Sequence, residues 1–192
     1  MGSKKDPNTW NGVTHIQRQI LITGGISQGK TTFLLSLAGQ LGPEINMDGV
    51  VSIASERAYQ SGTPAGQYRL RFLKSRESMI WACRRESGQG FIFDPGTQAF
   101  LNNDFMARLV ADPPQVLFLD ELGKLELKES GLDQILATAC IMNIQALICT
   151  VKKECVDEIR KAYGFKSPLL VDLDRVSRSD ALNQVKAYLG CK

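Results

Sequence analysis

The 192-residue chain has a single histidine, His15, and no cysteines paired at metal-binding spacing, so a zinc site has almost nothing to be built from. Its five cysteines (Cys83, Cys140, Cys149, Cys155, Cys191) are odd in number and include no C-x₂-C spacing. They read as buried or half-buried thiols of a reducing compartment, not as a disulfide framework. Excess charge of one sign is also missing: 23 basic and 20 acidic residues are interspersed and leave +3. That balance gives no clear nucleic-acid signal. No apolar run approaches the roughly 18 residues of a membrane span. The first twenty residues hold no continuous apolar segment of the signal-peptide kind. Asp6 stands where a myristoylation motif needs Ser or Thr, and Cys191 lies too near the end for a prenylation box. A soluble chain in the cytoplasm is the expectation. With 43% hydrophobic residues and no internal repeat or dividing linker, residues 16–192 are expected to form one domain behind a flexible polar lead-in, 1–15.

What is present is concentrated between Ile20 and Leu41, reading ILITGGISQGKTTFLLSLAGQL. The run Ile20-Leu21-Ile22-Thr23 is apolar and β-branched, the composition of a buried strand. Gly24-Gly25-Ile26-Ser27-Gln28-Gly29-Lys30-Thr31 then matches GxxxxGK[ST] in full, with Thr32 directly after it. Phe33, Leu34, Leu37, Ala38 and Leu41 recur at helical spacing behind the loop. Strand, glycine-rich loop and helix are the surroundings this phosphate-loop (Walker A) motif requires. The glycines let the loop curl so that backbone N–H groups meet a polyphosphate, and the helix N-terminus adds its unpaired N–H groups and dipole. Lys30 is the type of residue that reaches the β- and γ-phosphates, and the Thr31 hydroxyl is placed for Mg²⁺. Residues 24–32 are therefore the expected nucleotide-binding segment, with Mg²⁺ and ATP, GTP or another nucleoside triphosphate as ligands.

A second landmark is Val116-Leu117-Phe118-Leu119-Asp120-Glu121-Leu122-Gly123. Four apolar residues running into two carboxylates predict a buried parallel strand whose carboxyl end reaches the phosphate loop (Walker B). Asp120 is the expected Mg²⁺ residue and Glu121 the one that aligns water for attack on the γ-phosphate, alternation sending it to the other side. Thr150, at the end of another apolar strand, has two readings, a γ-phosphate sensor or an ordinary β-branched strand residue. Lys124 and Arg57 are candidate charge stabilisers, with Glu126 as an anchor for one of them.

The rest of the chain alternates. Asp48-Gly49 predicts a turn into a strand over 50–57. Residues 68–72 and 79–83 predict a hairpin whose Arg69, Arg71, Arg84 and Arg85 either meet a polyanion or face solvent. A short strand over 90–93 ends at Asp94-Pro95-Gly96, and a helix is expected over 97–110. Helices over 131–142, 154–162 and 179–189 alternate with strands over 145–151 and 169–173. The pattern predicts a mainly parallel α/β sheet with helices on both faces and an antiparallel hairpin insertion.

Asp120-Glu121-Leu122-Gly123 also spells DxxG, but Cys149-Thr150-Val151-Lys152-Lys153-Glu154 does not supply the [NT]KxD that reads guanine in regulatory GTPases. Ser87-Gly88-Gln89-Gly90 is only a partial echo of the LSGGQ of ABC ATPases. GGISQGKTT at 24–32 and DELGKLELKES at 120–130 resemble the THEP-type nucleoside-triphosphatases, whose second motif runs D-E-[IL]-G-K-[ML]-E-L-x-S. Ser55-Glu56-Arg57 is similar to that family's T-x-E-[VI]-R-like segment. One departure is Gly62-Thr63-Pro64-Ala65-Gly66-Gln67, where the family usually has G-x-R-x-G-F. The missing arginine raises the question of a protein partner that supplies one. The resemblance implies a RecA-like P-loop NTPase fold and slow, base-tolerant, Mg²⁺-dependent hydrolysis, a hydrolase activity with Glu121 as the base. Read from the residues alone, a small-molecule kinase and a nucleotide-dependent switch remain alternatives.

Overall fold

Among the described residues eight strands, numbered β1 to β8 along the chain with the ranges given below, form one sheet in the order β5-β4-β3-β2-β6-β7-β1-β8. The computed structural model describes residues 18–54, 66–85 and 90–190. The lead-in 1–15, Ser55-Glu56-Arg57, the departure at 62–65, Ser87-Gly88-Gln89 and Cys191 lie outside the described residues. β1 (Arg18–Thr23), β2 (Met47–Ala54), β6 (Val116–Leu122), β7 (Ala146–Val151) and β8 (Leu169–Asp172) pair in parallel. β3 (Gln67–Phe72), β4 (Ser78–Arg84) and β5 (Phe91–Phe93) add an antiparallel wing to β2.

Alternation along the parallel strands builds two cores, one on each face. Ile20, Ile22, Val116 and Phe118 turn to α1 (Lys30–Gln40) and α6 (Arg178–Leu189), meeting Phe33, Leu34, Leu37, Ala181 and Val185. Leu21, Leu117, Leu119 and Leu147 turn the other way, onto α2 (Pro95–Phe100), a π-helical turn (Leu101–Phe105), α3 (Met106–Ala111), α4 (Asp133–Ile141) and α5 (Val156–Ala162). Helices on both faces of a mostly parallel sheet are thus observed, as the pattern predicts. No helix among the described residues is long and apolar enough to cross a membrane.

Local chemistry moves several boundaries. The strand ends before Asp94 as expected, but the helix begins at Pro95, two residues earlier than expected, because the Asp94 carboxylate accepts from Thr97 N at 2.7 Å and Pro95 fits the first turn. Asp48-Gly49 is not a turn but lies inside β2. Asp48 is 2% exposed and its Oδ1 accepts from Gly49 N at 2.7 Å, so the polar pair is satisfied within the strand. The hairpin arginines act locally: Arg69 donates to Ser78 O at 3.0 Å and Arg84 lies 5.9 Å from the Phe91 ring centroid. Cys140, Cys149 and Cys155 are buried thiols, and burial raises Cys140 to about 12.

Candidate active site

The carboxyl ends of β1, β6 and β7 converge beneath the phosphate loop. β1 and β6 are not neighbours, since β7 runs between them. The loop leaves β1 through Gly24 (φ +145°), passes Ser27 (φ +64°) and enters α1 at Gly29 (φ +74°). That left-handed conformation favours glycine at position 29, and a Cβ there would displace only the movable end of Arg178, whose Nη2 would lie 2.2 Å away. Lys30 Nζ donates to Gly24 O at 2.9 Å and Gly25 O at 2.8 Å, which holds the ammonium across the mouth of the loop.

Asp120 is 3% exposed at the end of β6. Its Oδ2 accepts from Thr31 Oγ1 at 2.7 Å and from Ser52 N at 3.0 Å, and its Oδ1 accepts from the Thr150 hydroxyl. Burial raises its pKa, while the hydrogen bonds from Thr150, Thr31 and Ser52 pull the other way. Thr150 accepts in turn from Glu121 N at 2.8 Å. The buried Thr150 hydroxyl therefore ties both acids to β7, a contact that its position at the end of a strand did not by itself reveal.

Glu121 does not reach the site by simple alternation. Its φ is +63°, and the pairing of β6 with β7 shifts register between Leu119 and Leu122. This bulge turns the Glu121 side chain outward, into a cavity of about 450 Å³ shared with Gly29, Lys30, Thr31, Thr32 and Ser52. Its pKa is raised, first by partial burial and then by the Asp120 charge.

Lys124 is exposed and lies outside that cavity, and Arg57 lies outside the described residues. Glu126 holds backbone: its Oε2 accepts from Gly123 N at 2.7 Å and its Oε1 from Leu132 N at 3.0 Å. Glu126 is thereby a staple that shapes the turn after β6, and Arg57, one of the two residues it was expected to anchor, lies outside the described residues. Glu126→Ala leaves two buried N–H groups unpaired and is expected to cost about 2–5 kcal/mol in urea unfolding. A loss under about 0.5 kcal/mol would remove the staple role.

Sequence reading missed the residues across the loop. Asp174 accepts from Gly25 N at 3.0 Å and pairs with Lys153 at 2.8 Å. Arg178 donates to Gln28 O at 3.3 Å. These contacts span about 150 positions and leave no local pattern. Lys152, two residues after Thr150, faces Glu121 and Glu126 electrostatically. Its position at the end of an apolar strand was the available signal.

Thr150→Val keeps the shape of the residue and removes both hydrogen bonds. It is expected to lower turnover about tenfold, from loss of one positioning contact worth roughly 1.5 kcal/mol. Wild-type turnover in the variant would reduce Thr150 to packing.

The donor set suits a hard cation that keeps several waters. One carboxylate and one hydroxyl oxygen, 2.7 Å apart, are the protein's usual contribution to Mg²⁺ on a nucleotide. Among the described residues no group of three or more His, Cys, Asp or Glu is placed to hold a metal by itself.

A family model described as NTPase matches residues 19–185. The structure is similar to the crystal structure of THEP1 from the hyperthermophile Aquifex aeolicus, with a TM-score of 0.62 and 19% identity, over 89% of this chain and 98% of that one. It is also similar to the solution structure of a human cancer-related nucleoside triphosphatase, with a TM-score of 0.61 and 19% identity, over 88% and 96%. At this identity the two structures speak for the fold. No curated protein matches the sequence.

Proposed function

The chain belongs to the THEP1-like NTPase family, and on that premise we propose that it hydrolyses nucleoside triphosphates to diphosphate and phosphate with Mg²⁺. The observation that carries this reading is the bonded chain Thr31–Asp120–Thr150–Glu121 beneath the phosphate loop. Backbone amides of residues 24–32 cradle the phosphates, and Lys30 neutralises charge developing between the β- and γ-phosphates. Thr31 and Asp120 would hold Mg²⁺, which would supply charge stabilisation at the phosphate oxygens. Glu121 orients a water and takes its proton as oxygen attacks the γ-phosphorus. Arg57 and Lys124 are carried as proposed charge stabilisers of the transferred phosphate.

Slow turnover fits the cation count. Among the described residues, Lys30 is the only cation lining the cavity, and an arginine at the γ-phosphate is worth about 10³- to 10⁵-fold. A partner that donates one would accelerate the reaction. Base tolerance follows because the phosphates, common to all nucleotides, are what the loop recognises. Residues 16–192 act as one unit in this reading, in the cytoplasm.

The test is phosphate release from ATP, GTP, CTP and UTP, with Mg²⁺ and with chelator. Slow release from all four that stops with chelator is expected. Nucleotide binding without release from any of them would overturn hydrolysis. Lys30→Ala is expected to weaken nucleotide affinity by about 10- to 150-fold, the value of charged hydrogen bonds. Unchanged affinity would move the phosphates off the loop.

A further inference from the structure

A second cavity, of about 270 Å³, opens beside the phosphate loop on the wing side of the sheet. Its walls are Tyr68, Leu70, Trp81, Ala82, Phe91 and Phe93 from the antiparallel wing. The rings are fixed by one another: Tyr68 meets Phe91 edge-on at 5.2 Å, and Trp81 meets Phe93 edge-on at 5.1 Å. This cavity and the phosphate cavity share Ile26, Ser52, Tyr68 and Glu121, so the Glu121 carboxylate stands at their junction. Lys152 lines the polar end. Ile26, in the loop itself, is 95% exposed and borders both spaces.

None of the proposed hydrolytic roles falls on these wing residues, although Asp120, Glu121, Glu126 and Lys152 make the other end of the space polar. We propose that it binds the planar ring of a second substrate, a hydroxyl-bearing aromatic molecule of nucleoside size, and that Glu121 directs the hydroxyl at the γ-phosphate. An apolar cavity of roughly 150 Å³ takes one benzene-sized ring, so this one takes a single mono- or bicyclic ring system. The rings offer the faces and edges on which such a ring stacks. The sugar or side-chain hydroxyl then lies at Ser52 and Glu121, where the polar lining begins.

The step balances without a further reactant. The acceptor oxygen forms a bond to the γ-phosphorus while the bond to the β–γ bridging oxygen breaks. The diphosphate leaves with that electron pair, and the hydroxyl proton passes to the Glu121 carboxylate and from there to solvent. Water takes the same place when the cavity is empty of acceptor. The inference rests on the hydrolytic reading for the position of the γ-phosphate and for Glu121.

The experiment uses the full chain with Mg²⁺ and ATP labelled at the γ-phosphate, offering adenosine, guanosine, cytidine and uridine in turn. Label in a phosphomonoester of at least one nucleoside is expected, beside a lower yield of free phosphate. In Phe93→Ala, whose side chain lies outside the phosphate cavity, the phosphomonoester is expected to fall at least tenfold with phosphate release to water unchanged. Trp10→Phe leaves Trp81 as the only tryptophan, and its emission is expected to change with the productive nucleoside. Phosphate release at an unaltered rate, with no phosphomonoester and no Trp81 response to any of the four, overturns this inference and leaves hydrolysis standing. A Trp81 response without transfer overturns the acceptor role. Loss of both phosphate release and transfer, with ATP still bound, overturns the hydrolytic reading and this inference with it.

Discussion

Glu121→Gln is expected to lower turnover by about 10²- to 10⁴-fold while nucleotide affinity stays within about threefold, the range for loss of a general base. Glutamine has the same length and shape and can occupy the same bulge, since only the backbone N–H of Glu121 is bonded to Thr150. The carboxylate is not among the hydrogen-bond partners of the Asp120 side chain, which include Thr31, Ser52 and Thr150. Phosphate binding and the proposed Mg²⁺ residues are thus left intact, and in the proposed mechanism what disappears is the acceptor for the proton of the attacking water. Single-turnover phosphate release and equilibrium binding of a nonhydrolysable triphosphate separate the two. Equal loss of binding and turnover would mean that Glu121 serves the ground state, and full turnover would mean that another group takes the proton.

Gly49→Ala is expected to cost roughly 2–6 kcal/mol of stability, combining a backbone region that only glycine enters freely with overpacking between two strands. Gly49 has φ +145° in β2, and a Cβ there would stand 2.1 Å from Phe118 O and 2.7 Å from Phe118 N. Neither neighbour can yield cheaply, because Phe118 is a fully buried residue of β6 pairing with β7 and β2. Relieving the clash means separating β2 from β6, and β2 carries the Ser52 amide that binds Asp120. Against a typical net stability of about 5–15 kcal/mol this is a large fraction. Urea unfolding followed by circular dichroism should show the midpoint falling, with activity tracking the folded fraction. A shift below about 0.5 kcal/mol would mean that the strands part without penalty.

The phosphate loop was legible in the sequence because its chemistry is local: one strand, one turn rich in glycine, one helix. Residues 24–32 carry both the backbone amides and the lysine, and the contacts of Lys30 reach no farther than Gly24 and Gly25. The mainly parallel sheet was equally legible, since apolar strands alternating with amphipathic helices have few other ways to bury both faces. Asp48-Gly49 was misread as a turn because the same residue types also occur inside a strand when their polar groups are satisfied there, and only the neighbours decide.

The sequence by itself therefore determined the fold class and the strand, glycine-rich loop and helix of residues 20–40, each through residues adjacent in the chain. Tertiary structure alone decided how they work together. Placing β7 between β1 and β6 puts the Thr150 hydroxyl between Asp120 and the Glu121 amide, and the register shift turns Glu121 into the cavity. It also decided that Asp174 and Arg178 reach the loop, and that the aromatic wing encloses a second space beside Glu121. The physical reason is that a hydrogen bond or a cavity wall depends on separation in space, and strand order sets that separation for residues that lie far apart in the chain.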